Sequence, residues 1–184
     1  AALNRRSRPT FFRSNNWLLL PDDMRKPILK DKSLLTLLCL LFASGLMAGE
    51  LTGKVVGISD GDTLKLLTPQ RQQVRVRLSQ IDAPESKQAF GNKSRQELAR
   101  ICFGKFASLD VEGEDRFGRK LARVRCDGVD AQSHMVSAGM AWVYDRYVTD
   151  KSLYQLQQQA KNEKRGVWSD HEAVPPWEFR RASR

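Results

Sequence analysis

The sequence predicts an α+β domain, mainly β, in which a small five-stranded barrel carries about three helices. Two observations lead there. Short segments rich in Val, Ile and Leu alternate with turn signals built from Gly, Asp and Pro, which is the rhythm of strands and tight turns. Between and after them lie three stretches with helical spacing and strong helix formers. A third observation limits the alternatives: residues 49–184 hold chain enough for one such core, with no internal repeat or low-complexity tract.

The elements follow in order. Leu51 to Ile58 is rich in Val and Ile and reads as a strand. Asp60-Gly61-Asp62 is a turn signal, with Gly61 available for a positive φ, and Thr63 to Leu67 returns as the second strand. After Pro69-Gln70-Arg71-Gln72, residues 73–81 alternate, with Val74, Val76 and Leu78 on one face and Arg75, Arg77 and Ser79 on the other. These three strands form an antiparallel meander. Residues 92–102 have helical spacing. Residues 107–111 and 120–126 are two further strands, joined through Asp115-Arg116-Phe117-Gly118-Arg119. Residues 130–138 form a short helix with Asp130 as N-cap and Gly139 as stop. Residues 150–165 form the last helix, with Leu153, Leu156 and Ala160 as its apolar stripe and Gly166 at its end. Pro175-Pro176-Trp177 with Arg180 and Arg181 reads equally as a docked tail or a mobile basic end, so 171–184 is set apart as a basic C-terminal tail.

The N-terminal quarter has a different character. From Met24, a basic head with Arg25, Lys26, Lys30 and Lys32 precedes an apolar run over 34–42 and a small-residue exit through Ala43-Ser44-Gly45 and Met47-Ala48-Gly49. That is the layout of a secretory signal peptide over 24–48, with the run too short for a membrane span. Residues 1–23 fit no part of it and are expected to be an over-extended start, which leaves 49–170 as the domain. The expected product is exported to the periplasm or the medium, with no stable membrane association after cleavage, and monomeric. Removal of the leader takes Cys39 and leaves Cys102 and Cys126. An oxidising compartment permits a bridge between them, and two buried free thiols remain the alternative. The whole chain carries 31 Lys and Arg against 21 Asp and Glu, a net +10. Residues 1–48 account for 8 and 3 of these, so half of the excess lies outside the domain. A basic balance points to a polyanion, and it excludes neither nucleic acid nor an anionic membrane.

Chemistry concentrates in the turns. Asp62 and Asp82 end or begin strands of one meander and so reach one end of the barrel. Two carboxylates with a backbone carbonyl make a hard oxygen site suited to Ca²⁺, with water completing the shell. His134 and His171 lie far apart and no Cys/His cluster exists, which argues against zinc. Arg77 and Arg119, from separate segments, are placed to clamp a phosphate by bidentate contacts. Glu85, three residues after Asp82, is close enough to act through water. A cation, a carboxylate base and two arginines are the requirements of phosphodiester hydrolysis.

Taken together and in order, these segments resemble the staphylococcal nuclease (thermonuclease) family. The motifs are Asp-Gly-Asp-Thr at 60, Arg-Leu-x-x-Ile-Asp-x-Pro-Glu at 77, Asp-x-Phe-Gly-Arg at 115, Gly-Met-Ala-Trp-Val-Tyr at 139 and Arg-Gly-Val-Trp-Ser at 165, spanning about Gly53 to Trp168. The resemblance implies an OB-fold barrel and a Ca²⁺-dependent, sugar-nonspecific endonuclease that acts on DNA and RNA and leaves a 3′-phosphate and a 5′-hydroxyl. It implies Asp62 and Asp82 as calcium carboxylates, the Ala83 carbonyl as a further ligand, Glu85 as general base, and Arg77 and Arg119 on the scissile phosphate. Arg116, Phe117 and Tyr144 fall at substrate-binding positions. The chain departs from the best-known member at Ala83, where a Thr is lost, at Phe117, where a Tyr is lost, and in a shorter loop before Asp115. A catalytically inactive nucleic-acid-binding module of the same fold is the alternative, and such modules usually lack the carboxylate and arginine set present here.

Overall fold

The computed structural model describes residues 50–183. The leader, Cys39 and residues 1–23 lie outside the described residues. Five strands close a mixed barrel. They are β1 (Leu51–Ile58), β2 (Thr63–Leu67), β3 (Gln73–Leu78), β5 (Phe106–Glu114) and β6 (Lys120–Cys126). Their order is β3-β2-β1-β5-β6, and a parallel pairing of β3 with β6 closes the ring through Val76↔Lys120, Arg77↔Leu121 and Leu78↔Ala122. Two-residue strands β4 (Ile81–Asp82) and β8 (Trp142–Val143) pair beside it, and β7 (Val129–Asp130) pairs antiparallel with the end of β6. Four helices complete the α+β domain: α1 (Gly91–Cys102), α2 (Ala131–Ser137), α3 (Ser152–Asn162) and α4 (Pro176–Ala182).

The predicted elements are present, with informative differences. The stretch 73–81 is not one strand. Gln80 takes a φ of +68°, so the chain turns at Ser79-Gln80 and Ile81-Asp82 forms a separate strand. The Gln80 side chain fixes that turn, because its Oε1 accepts from the amides of Thr149 and Asp150. β5 runs three residues beyond 111, across a bulge between Val111 and Gly113. Asp130 caps α2 as predicted, accepting from the Ser133 amide, and Gly139 leaves the helix with φ +67°. The expected tail contains the fourth helix, α4, begun by Pro176 as a first-turn residue.

The barrel is filled by Val55, Leu64, Leu66, Val76, Leu78, Leu109 and Val124, and α1 closes it from outside with Leu98 and Ile101. One buried polar residue stands among these groups. Gln132 is fully buried, and its amide donates to the Ala122 carbonyl and accepts from the Val124 amide. It thus takes the place of a neighbouring strand along β6 and satisfies both of these backbone groups. Cys102 at the end of α1 and Cys126 at the end of β6 are joined by a disulfide, with Cα atoms 5.2 Å apart. Linking residues 24 positions apart removes unfolded-state entropy, which contributes about 3 kcal/mol in the chain-entropy account.

Candidate active site at the end of the meander

The turn between β1 and β2 is held by a carboxylate that bonds its own backbone: the Asp62 amide donates to Asp60 Oδ1 at 3.1 Å. Gly61 takes no positive φ, contrary to the sequence expectation. A β-carbon there would sit 1.8 Å from Ser94 Oγ and 2.8 Å from the Ala83 β-carbon, so glycine is required by close approach. Ser94 in turn donates to the Met140 carbonyl and ties α1 to this end of the barrel. Asp62 is thereby pressed into a buried position.

Strand register then supplies the partner. Thr63 pairs with Arg77 across β2 and β3, and Leu78 N–H donates to the Asp62 carbonyl, so the Arg77 side chain emerges beside Asp62. Its Nη1 donates to Asp62 Oδ1 and its Nη2 to Asp82 Oδ1, both at 2.7 Å. The turn at Gln80 makes that second bond possible, because it brings Asp82 back to the side from which Arg77 left. Ala83 is buried next to them and its N–H donates to Asp62 Oδ2 at 3.0 Å. Glu85 follows with its side chain 40% exposed, open enough to meet solvent.

The electrostatics follow from this packing. Burial pushes the Asp62 carboxyl up to about 6, against the pull of Arg77 and the Ala83 amide, and the neighbouring Asp60 charge adds to the rise. Burial alone would lower Arg77, but Asp62 and Asp82 hold it above its ordinary value and so permanently charged. Four carboxylates, Asp60, Asp62, Asp82 and Glu85, are therefore linked through the hydrogen bonds of this corner.

Arg119 approaches from the β5–β6 hairpin. Asp115 shapes that hairpin by accepting from the amides of Phe117 and Arg119. The same carboxylate takes the Arg119 Nε and Nη2 at 2.7 Å, leaving Nη1 directed at Thr63 Oγ1, 3.4 Å away. Thr63 Oγ1 donates to Asp62 Oδ1 at 3.0 Å. One chain of contacts thus runs Arg119, Thr63, Asp62, Arg77, Asp82. Phe117 is exposed at the hairpin tip with the Arg116 and Arg119 guanidinium groups over its ring, at 4.8 and 5.4 Å. Tyr144 follows β8 and is fixed by its amide to the Gln80 carbonyl.

Of the residues expected from sequence, Asp62, Arg77, Asp82, Ala83 and Glu85 come together, Arg119 stands one hydroxyl away, and Arg116, Phe117 and Tyr144 form the surround. Sequence reasoning gave no role to Asp60 or Thr63, although both sit in the same four-residue motif. It also gave none to Arg180, whose guanidinium donates from Nη2 to Asp82 Oδ2 and from Nη1 to Glu85 Oε1, both at 2.7 Å. Burial disfavours the Arg180 charge, and these two carboxylates more than offset it, raising its pKa.

An oxygen-bound cation fits this donor set. Among the described residues no three carboxylate, imidazole or thiol side chains form a ready metal cage. Two carboxylates, Asp62 and Asp82, face each other across Arg77, a set that backbone and water would complete for a hard ion. Asp82 and Glu85 already hold a cationic group between them, the Arg180 guanidinium.

Residues 75–170 match a family model described as staphylococcal nuclease homologue. The chain is 41% identical over 145 residues to a protein of Escherichia coli O157:H7 named "uncharacterized endonuclease", covering 78% of this chain and 94% of that one. It is 42% identical over 146 residues to a micrococcal nuclease of Shigella flexneri, covering 73% and 83%. It is also 34% identical over 113 residues to a staphylococcal-like nuclease of Arabidopsis thaliana, covering 61% and 35%. A match over 145 of 184 residues necessarily takes in 62–119, the span that holds both arginines and all the carboxylates of the corner apart from Asp60.

Proposed function

The chain belongs to the staphylococcal nuclease family and is a hydrolytic nuclease; from that premise we propose that it is a Ca²⁺-dependent endonuclease of DNA and RNA, indifferent to the sugar, that leaves 3′-phosphate and 5′-hydroxyl ends. The observation that carries this reading is the junction of Asp62, Arg77, Asp82 and Glu85 at one end of the barrel. Asp62, Asp82 and the Ala83 carbonyl hold the ion. Bound there, calcium supplies positive charge to the phosphoryl oxygens.

The protein's own groups do the rest. Arg77 and Arg119 grip the scissile phosphate and take up the charge that grows on its oxygens. Arg119 is held ready by Asp115 with one nitrogen still turned toward the site. Glu85, partly open to solvent, accepts a proton from the attacking water. The water oxygen bonds to phosphorus as the bond to the 5′-oxygen breaks; the phosphate stays on the 3′ side, and the departing 5′-oxygen takes a proton from solvent water and leaves as a hydroxyl. Phe117, Arg116 and Tyr144 hold flanking nucleotide by stacking and charge, contacts that read the backbone and any base alike. The disulfide between Cys102 and Cys126 supports an oxidising destination, consistent with export by the segment 24–48.

End-group analysis tests the bond assignment. Products of an oligonucleotide digest should accept phosphate at their 5′ ends without prior dephosphorylation, and should block polymerase extension until a 3′-phosphatase is added. Products with 5′-phosphates and extendable 3′ ends would reject it.

A further inference from the structure

The segment after α3 returns across the site instead of leaving it. Gln88 Nε2 donates to the Val174 carbonyl at 2.6 Å, which fixes the approach. Pro176 is buried at the first turn of α4. Trp177 then lies flat on Tyr144, with ring centroids 5.4 Å apart and planes 13° from parallel. One turn later Arg180 spans Asp82 and Glu85, with Nη2 on Asp82 Oδ2 at 2.7 Å and Nη1 on Asp82 Oδ1 at 3.2 Å and on Glu85 Oε1 at 2.7 Å. The two side chains of one helix thus cover the two things the site would offer a nucleic acid: an aromatic face and a pair of carboxylates.

Each contact uses an atom the reaction needs free. Asp82 is wholly buried, and its oxygens are shared between Arg77 and Arg180, so a further cation reaches Oδ2 only by displacing Arg180. Glu85 Oε1 accepts from Arg180 Nη1 at 2.7 Å, so that oxygen meets an attacking water only after Arg180 moves. A base stacks on the Tyr144 face that Trp177 covers only after Trp177 moves. Arg180 and Arg181 are adjacent and alike in charge, yet only Arg180 turns inward; Arg181 is exposed.

We propose that residues 175–182 are an autoinhibitory strap: Arg180 occupies the Asp82 oxygen that the cation needs and engages Glu85 beside it, Trp177 occupies a nucleobase's place on Tyr144, and cation with nucleic acid displaces both. The inference rests on the calcium-nuclease reading given above. It also gives the tail a function, because a site open in about one molecule in ten binds its cation about tenfold more weakly than the same site held open.

The test is calorimetric Ca²⁺ binding to the full chain and three variants, without nucleic acid. Arg180→Gln and Trp177→Ala should each tighten Ca²⁺ binding by about tenfold. Arg181→Gln removes the same charge one residue away and should leave it within about twofold of the parent, which separates release of the strap from long-range electrostatics. Hydrogen exchange supplies the second measurement: amides of 177–183 should lose protection when Ca²⁺ is added to the parent. Equal Ca²⁺ affinity in the parent and the Arg180 and Trp177 variants, or a tail still protected with Ca²⁺ bound, overturns the strap while the nuclease reading stands. Equal tightening by Arg181→Gln also overturns it. No Ca²⁺ binding by any variant overturns the strap and the calcium reading together.

Discussion

Glu85→Gln is expected to lower the single-turnover rate of DNA cleavage by about 10²–10⁴ at saturating Ca²⁺, because the amide cannot accept the proton of the attacking water. The substitution is isosteric and the side chain is 40% exposed, so little else should change. Its hydrogen-bond partner among the described residues is Arg180, and an amide oxygen still accepts from a guanidinium. The folded state should therefore stay within about 0.5 kcal/mol of the parent, as for most partly exposed positions. Circular dichroism melts run beside the rate measurement separate the two effects. A rate within a few-fold of the parent would remove Glu85 from the role of base.

Arg119→Ala is expected to cost about 10²–10³ in the same rate, the size of a lost donor to a developing oxyanion. The comparison with Arg77→Ala makes this prediction sharper. Arg119 is held by Asp115, in a hairpin at the barrel edge, and its loss leaves a carboxylate that is 16% exposed and still accepts two backbone amides. Its stability cost should be small. Arg77 is different, because it is a cation shared by Asp62 and Asp82, whose side chains are 4% and 0% exposed. Removing it leaves buried carboxylates without a shared partner, a change that costs about 3–5 kcal/mol in comparable pairs. Arg77→Ala should lose a similar factor in rate and also melt well below the parent. An unchanged rate for Arg119→Ala would show that its Nη1, directed here at Thr63 Oγ1, does not reach the phosphate.

The legible part of this molecule is the part written in local pattern. Val74, Val76 and Leu78 alternate with Arg75 and Arg77 because one face of β3 meets the barrel core, and that alternation placed Arg77 correctly. Asp62 was legible at the turn that opens β2 and Asp130 as a cap, whereas Asp82, expected in the same meander, lies in the separate strand β4 paired with β8. What sequence pattern did not carry was set by contacts distant in sequence. The break of 73–81 at Gln80 depends on amides at 149 and 150, some 70 positions away. Gly61 is required by Ser94 and Ala83, not by its own dihedral. The extension of β5 through Glu112-Gly113-Glu114 has no apolar face to announce it. The fourth helix is seven residues long and opens on the second of two prolines, too short for a readable period. Its reason to fold lies in Tyr144, Asp82 and Glu85, which is why Arg180 was indistinguishable in sequence from the exposed Arg181 beside it.

A cation at Asp62 and Asp82 is tested most directly by cleavage of linear duplex DNA by the purified protein in EGTA, then after Ca²⁺ is restored. The expected result is no cleavage in EGTA and full recovery on adding Ca²⁺ back. Undiminished cleavage in EGTA would contradict the assignment of these carboxylates as the calcium site.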